Sequence, residues 1–325
     1  MVAAIPSPLR LAVLDDYQDV ALSVADWSVV GDRVAVTVLN RHLGDEGAVV
    51  AGLQGFDAVV AMRERTAFPR SVLERLPDLR LLVTTGMRNA AIDLDAARDL
   101  GILVCGTGPG APYDAAELTW ALLMAAAKRL DVEIGNVRDG GWMTTLGTSL
   151  VGRTFGVVGL GRLGGRVAGY GRAFGMDVVA WSHHLTDERC AEVGVRRAGS
   201  LDDLLAESDF VSLHLVLGER SRGIIGRREL ALMKSTAWLV NTSRGPLCDE
   251  EALLEACRTG VVAGAALDVF GQEPLPADHP VRGVPNVIAT PHIGYVTAEA
   301  YAVRYAEAIE DVVAYLDGSP LRALT

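Results

Sequence analysis

The chain has 325 residues, of which half are hydrophobic and 6% aromatic, and its formal net charge is -11 at pH 7. This length accommodates two domains that each bury a core, and the abundance of aliphatic side chains suits parallel strands covered by helices. The acidic balance argues against nucleic acid or an anionic membrane as a partner, whereas local arginines can still bind a small anionic substrate.

The four cysteines form neither a close pair nor a set with metal-ligand spacing, and they are Cys105, Cys190, Cys248 and Cys257. Such thiols are typical of reduced, mostly buried cysteines in a cytoplasmic protein. Residues 1–10 lack the apolar core of a signal peptide, and no window reaches transmembrane length without charges. We therefore expect a cytoplasmic protein with no membrane partner and no bound metal.

Short apolar runs near the start of the chain predict strands over 11–14, 58–62, 81–84 and 102–105, with helical stretches between them. This alternation is typical of a parallel sheet in a compact α/β domain. The stretch 113–130 predicts one long helix that is apolar on most faces. We expect this helix to be buried between domains or between subunits.

A second series of apolar runs follows further along the chain. It predicts strands over 155–158, 178–181, 210–213, 238–241, 264–267 and 287–289, and a last helix over about 298–316. Both series have the rhythm of parallel sheets, and the whole chain is therefore predicted to be α/β.

A glycine turn joins the first strand of this second series to a predicted helix over 162–174. Its residues are Gly159, Gly161, Arg162, Leu163 and Gly164, with Leu160 between the first two glycines. In a dinucleotide-binding unit such glycines permit a tight turn, a close approach of pyrophosphate and close packing of helix on strand. A glycine-rich connection without a ligand is the alternative, and the flanking strand and helix argue against it.

The residues that follow strand 178–181 bear on the choice between NAD and NADP. Strand 178–181 runs into Ser182, His183 and His184, where an NAD-preferring fold places Asp or Glu. No carboxylate stands there to repel a 2′-phosphate, yet no arginine stands there to bind one. This favours NADP slightly and leaves NAD open. His184 is equally well read as a solvent-facing loop residue.

Five segments closely resemble the D-isomer-specific 2-hydroxyacid dehydrogenases. They are 157–161, 241–245 around Arg244, 266–270 around Asp268, 273–274 at Glu273, and 290–294 around His292. The likeness extends to 92–95, 116–117 and 212–215, so it spans most of the chain.

The resemblance implies two Rossmann-like, doubly wound parallel-sheet domains, with a cofactor domain inserted into a substrate domain. The substrate domain would comprise 1–106 and 297–325, and the NAD(P)-binding domain 107–296. It also implies that Thr242 and Asp268 contact the cofactor, with Asp268 accepting a hydrogen bond from the nicotinamide carboxamide. We further expect a homodimer.

The chemistry of 2-oxo acid reduction explains the other polar residues. Arg244 can fork onto the substrate carboxylate and carbonyl and hold the carbonyl carbon near the nicotinamide. His292 can give a proton to the nascent alkoxide and take it back in the oxidative direction. Glu273, if it contacts the imidazole, favours its charged form and fixes its tautomer. Each residue alone would be read as a surface or loop side chain, and their joint order indicates catalysis.

Substrate selectivity is expected to depend on the first domain. Family members commonly hold the substrate carboxylate on a glycine-rich loop, which corresponds here to 85–91 and contains Met87 and Arg88. Arg88 either points into the cleft toward a second anionic group or lies on the surface, and the surface position is slightly favoured. Arg63, at the end of strand 58–62, is a further candidate carboxylate contact.

Two other functions stay open. A formate-dehydrogenase-like enzyme would share the fold, but that family has Gln where Glu273 stands. A non-catalytic nicotinamide-binding sensor would keep the cofactor site without needing the acid–base pair. His214, at the end of an apolar strand, is interpreted as a structural histidine.

Overall fold

A computed structural model describes residues 8–108, 110–111 and 113–325. Residues 1–7 lie outside the described residues. They begin the predicted substrate domain and the N-terminal segment that lacks the apolar core of a signal peptide. Residues 109 and 112, in the predicted cofactor domain, also lie outside the described residues. The strands are β1 (Leu9–Leu14), β2 (Val34–Leu39), β3 (Ala58–Ala61), β4 (Leu81–Thr84), β5 (Leu103–Gly106), β6 (Thr154–Val158), β7 (Asp177–Trp181), β8 (Arg196–Arg197), β9 (Phe210–Leu213), β10 (Trp238–Asn241), β11 (Gly264–Leu267) and β12 (Val287–Ala289).

The helices alternate with these strands. They are α1 (Glu46–Leu53), α2 (Arg70–Leu73), α3 (Leu94–Asp99), α4 (Asp114–Lys128), α5 (Leu130–Arg138), α6 (Arg162–Ala173), α7 (Asp187–Val193), α8 (Leu201–Glu207), α9 (Arg227–Leu232), α10 (Glu250–Thr259) and α11 (Ala298–Leu316). Short 3-10 helices span Trp27–Arg33, Gly245–Leu247 and Pro280–Gly283.

The chain divides into two compact units, one comprising Met1–Pro112 with Val296–Thr325 and the other Tyr113–Tyr295. The first unit contains a five-stranded parallel sheet in the order β2-β1-β3-β4-β5. This is one of the two common doubly wound strand orders. Strands β3 and β4 are buried along their whole length, as expected where helices cover both faces.

The second unit contains a seven-stranded parallel sheet in the order β12-β11-β10-β9-β6-β7-β8. Its strand order reverses between β6 and β9, because the chain first adds strands on one side of β6 and then on the other. In open α/β sheets, ligands bind outside the carboxyl ends of the strands at such a switch point. Both sheets therefore confirm the predicted α/β class and doubly wound architecture.

The structure corrects the sequence prediction at three places, one of which is the two-residue strand β8, which was not predicted. Strand β2 was not predicted, and it lies at the edge of the first sheet. The single helix predicted over 113–130 is two helices, because Arg129 adopts a left-handed conformation (φ 52°) between α4 and α5. The buried side chains of α4, including Leu122 and Leu123, pack in the core of the second unit with Phe155.

None of the helices in the described part of the chain combines the length and apolar character that crossing a bilayer requires. Across residues 8–108, 110–111 and 113–325, no group of three or more His, Cys, Asp and Glu side chains is arranged to hold a metal ion.

Candidate active site

The glycine turn follows β6, the central strand of the second sheet. Gly159 has a φ of +101°, and a Cβ built on it would lie 2.7 Å from the carbonyl oxygen of His214, so only glycine fits there. A Cβ on Gly164, in the first turn of α6, would overlap the carbonyl oxygen of Gly159. These two positions therefore require glycine for the turn itself and for the packing of helix on strand.

Gly161 differs, because it is exposed and a Cβ there would meet nothing within 4 Å. It is the residue that precedes α6, so the unpaired backbone N–H groups of Arg162 and Leu163 begin the helix beside this open space. A helix N-terminus with room above its glycine is a suitable site for pyrophosphate. The geometry fits the dinucleotide cradle that the sequence predicts.

Arg189, on α7, braces this turn and was not identified from the sequence. Its Nε donates to the carbonyl oxygen of Leu160 at 3.1 Å and its Nη2 to that of Gly161 at 3.4 Å. A Cβ on Gly165 would lie 2.9 Å from this Nη2, so the small residue leaves room for the guanidinium. No local sequence motif predicts this contact, because Arg189 is 28 residues from Gly161 in the chain.

The end of β7 adjoins the glycine turn, since the backbone N–H of Gly159 donates to the carbonyl oxygen of Trp181 at 2.8 Å. Ser182 is half-buried there and His183 is exposed, with its ring 4.9 Å from that of Trp181. The Nε2 of His184 lies 3.2 Å from Nη1 of Arg220. Arg220, which is distant in the sequence, thus lies beside His184, although the residues directly after β7 include no arginine.

Three neighbouring strands deliver the polar residues of the predicted catalytic set. The ends of β10, β11 and β12 are in register, with Asn241 beside Leu267 and Leu267 beside Ala289. Segments 242–244, 268–273 and 290–294 follow these ends at one edge of the sheet. A Cβ on Gly245 would overlap the carbonyl group of Phe270, so this glycine lets the first two segments approach closely.

His292 and Glu273 are in direct contact. The imidazole Nδ1 lies 2.5 Å from Oε2 of Glu273, while Oε1 accepts from the backbone N–H of Phe270 at 2.9 Å. Burial disfavours the charged carboxylate. However, the hydrogen bond and charge of His292, the Phe270 N–H and the charge of Arg244 together hold the pKa of Glu273 below its ordinary value. Arg244, Glu273 and His292 therefore form one electrostatic group.

The loop that carries His292 is held by the buried carboxylate of Asp268. Its Oδ1 accepts from the Thr290 hydroxyl at 2.6 Å and from the Ile293 N–H at 2.8 Å, and its Oδ2 accepts from the Gly294 N–H at 2.9 Å. Burial raises the pKa of Asp268, although these donors favour its charged form. The predicted contact between Asp268 and the nicotinamide carboxamide stays a prediction.

Arg244 and Thr242 are fixed by neighbours in the same unit. Nη1 of Arg244 donates to the carbonyl oxygen of Ser243 at 2.8 Å, and its own carbonyl oxygen accepts from Asn241 at 3.0 Å. The hydroxyls of Thr242 and Thr119, which is on α4, lie 2.6 Å apart. Helix α4 thus contacts Thr242, one of the predicted cofactor residues, a contact that the sequence did not indicate.

His214 has a structural environment. Its Nε2 lies 2.8 Å from the hydroxyl of Ser212, and burial lowers its pKa to about 4. A histidine that is neutral at physiological pH and hydrogen-bonded to the strand that precedes it matches the structural interpretation.

The candidate substrate residues of the first unit lie after β3 and β4. Arg63 has a left-handed backbone (φ 53°), its backbone N–H donates to Thr85 Oγ1 at 2.9 Å, and its Nη1 donates to the carbonyl oxygen of Thr85 at 3.1 Å. A Cβ on Gly86 would overlap this guanidinium. Arg63 therefore lies directly on the loop that contains Met87 and Arg88.

Met87 and Arg88 are both exposed. With Asn89 and Leu324 among their neighbours, they line a pocket of about 290 Å³ in the first unit. The Asn89 side chain donates to the carbonyl oxygen of Arg63 at 2.7 Å, which ties this loop to the end of β3. The exposed guanidinium of Arg88 is compatible with either of the positions that the sequence left open.

Comparison with known proteins assigns the chain to a family. Residues 120–294 match the family model of the D-isomer specific 2-hydroxyacid dehydrogenase, NAD binding domain. The glyoxylate reductase of Aeropyrum pernix is 42% identical over 257 residues, which are 76% of each chain. The D-3-phosphoglycerate dehydrogenase of Methanocaldococcus jannaschii is 37% identical over 90% of this chain, and the match spans only 54% of its own length.

A solved structure agrees with these matches. The phosphoglycerate oxidoreductase of Vibrio cholerae superposes with a TM-score of 0.90 at 35% identity, and the alignment covers 95% of this chain and 99% of that one. The chain belongs to the D-isomer specific 2-hydroxyacid dehydrogenase family, as the sequence predicts. It is thus an oxidoreductase with a nicotinamide cofactor site, within a family whose substrates are small 2-hydroxy and 2-oxo acids.

Proposed function

We propose that the chain reduces a 2-oxo acid to the D-2-hydroxy acid, with Arg244 as substrate anchor, His292 as acid and base, and Glu273 as the partner that orients His292. The observation that carries this proposal is the contact between Glu273 and His292, with Arg244 close enough to influence the same carboxylate. Bound reduced nicotinamide supplies the hydride.

The residues of this chain divide the remaining work. The planar guanidinium of Arg244 holds the substrate carboxylate and polarises the carbonyl oxygen. Since Nδ1 of His292 is engaged by Glu273, Nε2 is the atom that gives the proton to the developing alkoxide. The carboxylate of Glu273 stabilises the charged imidazole before transfer and fixes the tautomer left after it.

The two units take different roles in this proposal. The second unit holds the cofactor through Gly159, Gly161, Gly164 and the backbone of Arg162 and Leu163. Ser182, His183, Thr242 and Asp268 are the further candidate cofactor contacts. The first unit, predicted as 1–106 with 297–325, supplies the substrate contacts, for which Arg63, Met87 and Arg88 are the candidates. The names of the relatives suggest glyoxylate and 3-phosphoglycerate as the first substrates to test.

A homodimer is part of the same proposal. Helix α5 has no buried residue, and it is followed by a segment that exposes Trp142, Met143 and Leu146, the last to 97%. An exposed apolar surface of this kind marks an interaction site. Sedimentation velocity tests the proposal, because a monomer at micromolar concentration would contradict it.

The cytoplasmic location expected from the cysteines stays a prediction. All four thiols are free and buried.

A screen of 2-oxo acids with NADH and NADPH tests the proposed function. We expect turnover with at least one small 2-oxo acid and loss of that turnover in His292→Ala. Cofactor binding without turnover on any 2-oxo acid would favour the non-catalytic sensor instead. Activity on formate would favour the formate-dehydrogenase-like alternative.

A further inference from the structure

We propose that Arg220 binds the adenosine 2′-phosphate of NADPH, with the hydroxyl of Ser182 as a second donor and His184 as the residue that orients the guanidinium. This inference rests on the proposed function, because it concerns the cofactor of the same reaction. It identifies the anion-binding residue that the sequence around β7 lacks, and it commits the enzyme to NADPH as the preferred cofactor.

The position of the cluster follows from the sheet. Strands β6 and β7 are paired in parallel, and Val158, which precedes the glycine turn, is in register with Trp181, which precedes Ser182. In this fold the pyrophosphate lies at the turn after the first strand and the adenosine ribose at the end of the second. The 2′-oxygen of the ribose is therefore expected beside Ser182, where this chain offers a hydroxyl rather than a carboxylate.

The contact between Arg220 and His184 defines the chemistry of the cluster. An arginine is always protonated and can only donate, so Nε2 of His184 accepts the hydrogen bond from Nη1 at 3.2 Å. The contact uses one edge of the guanidinium. Its other N–H groups belong to an exposed residue and are available for a phosphate, which arginine can bind with two parallel hydrogen bonds.

The turn that carries Arg220 is held in place by Ser221. The Ser221 hydroxyl donates to the carbonyl oxygen of Val216 at 2.7 Å and accepts from the backbone N–H of Gly218 at 2.9 Å. Just before this turn, the backbone N–H of His214 donates to the carbonyl oxygen of Val158 at 2.8 Å. The turn after β9 is therefore fixed against β6, and Arg220 is presented from an ordered segment.

Two of the three acidic residues of α7 are paired with other arginines. Asp187 contacts Arg197 at 3.2 Å, and Glu192 contacts Arg189 at 2.9 Å. These ion pairs offset two of the carboxylates that follow β7, while Glu188 and Glu219 are further acidic neighbours in the sequence. A phosphate that carries nearly two negative charges at pH 7 is attracted to the guanidinium of Arg220.

The test compares two small probes that differ only in the 2′-phosphate, 2′,5′-ADP and 5′-AMP. Their dissociation constants are measured by calorimetry on the full chain at fixed ionic strength, for the wild type, Arg220→Gln and Arg222→Gln. Arg222 is the matched control, because it is exposed on the same turn and carries the same charge. Fixed ionic strength keeps the screening of long-range charge equal in all three proteins.

We expect the wild type to bind 2′,5′-ADP on the order of tenfold or more tightly than 5′-AMP. Arg220→Gln should remove most of this difference while its affinity for 5′-AMP stays close to that of the wild type. Arg222→Gln should retain the difference. Equal binding of the two probes by the wild type would overturn the proposal. An equal loss in both variants would also overturn it, because the effect would then be one of general charge.

The outcome is separable from that of the proposed function. The probe measurements contain no 2-oxo acid and no nicotinamide, so they are independent of catalysis. Wild-type reduction of a 2-oxo acid with NADH, together with equal binding of the two probes, would contradict the role of Arg220 and leave the catalytic assignment intact. Tight binding of 2′,5′-ADP without turnover on any 2-oxo acid would support the role of Arg220 and contradict the catalytic assignment.

Discussion

Glu273 and His292 lie 19 residues apart in the chain, and their side chains meet at 2.5 Å beyond the ends of two adjacent strands. The carboxylate also accepts the backbone N–H of Phe270, so it is held on its own loop while it orients the imidazole. A carboxylate in this position determines which ring nitrogen faces the substrate. This relationship is the structural basis for assigning proton transfer to His292.

Replacement of Glu273 by Gln should change the pH dependence of stability. The pKa of Glu273 lies below its ordinary value of 4.5 in the folded chain. The ionised carboxylate therefore favours folding above that pH, and the contribution is lost as the pH falls through the lower folded-state pKa. Urea denaturation at pH 7, 5 and 4 should show a difference between wild type and variant that is similar at pH 7 and pH 5 and smaller at pH 4. A difference that grows on acidification would contradict the assigned role of the pair.

The same variant should be a poorer catalyst. A neutral amide can still contact the imidazole but no longer stabilises its charged form or dictates its tautomer, so we expect turnover to fall by roughly tenfold or more. Glu207→Gln is a suitable control, because Glu207 contacts Arg196 at 2.8 Å outside the proposed catalytic group. Similar turnover in the two variants would remove Glu273 from the mechanism.

Replacement of Arg244 by Lys should impair both substrate binding and turnover. Lysine keeps the charge but cannot make the forked contact with carboxylate and carbonyl. We expect a higher KM for the 2-oxo acid and a lower kcat, measured at saturating cofactor, whereas Arg258→Lys, at an exposed position of α10, should behave as the wild type. An unchanged KM would mean that Arg63 or Arg88 anchors the carboxylate.

Replacement of Asp268 by Asn should loosen the loop that carries His292. The side-chain amide cannot accept at both of its ends, so one of the three donors that now contact the carboxylate loses its partner. An unsatisfied buried group of this kind costs about 1–3 kcal/mol. We expect a lower Tm together with lower turnover, measured by calorimetry and steady-state kinetics. A variant with wild-type stability would show that the carboxylate does not hold the loop.

Replacement of Ser182 by Asp should shift the cofactor preference. A carboxylate at the end of β7 repels a 2′-phosphate and accepts the ribose hydroxyls, so the ratio of kcat/KM values should move toward NADH by a factor on the order of ten or more. Ser182→Ala removes the hydroxyl without adding charge and separates the two effects. A ratio that ignores the Asp substitution would show that this strand end is not the ribose site.

The sequence predicted most strands because each appears as a short apolar run, and most of these strands are buried along nearly their whole length. Strand β2 was missed although Val34–Leu39 is apolar except for Thr37, and its edge position leaves Ala35 to Leu39 at least partly exposed. Strand β8 gave no apolar signal, because its two residues are both exposed arginines. The break between α4 and α5 escaped because it depends on the backbone of Arg129, which is not a residue type that signals a left-handed turn.

The candidate site was predicted unevenly for a related reason. Arg244, Asp268 and His292 could be identified because they follow strand ends within segments typical of the family. Arg189 and Arg220 could not, because the contacts that draw attention to them are with residues 28 to 36 positions away. An isolated exposed arginine in a sequence has the features of an ordinary surface residue.

The central claim is that His292 transfers the proton, and its most direct test is His292→Ala assayed with the 2-oxo acid that the screen identifies. Loss of a positioned acid should lower the rate of reduction by about a hundred- to ten-thousandfold. The dissociation constant for NADPH, measured by fluorescence titration, should stay near that of the wild type, because the glycine turn is untouched. Retention of most of the activity would contradict the account.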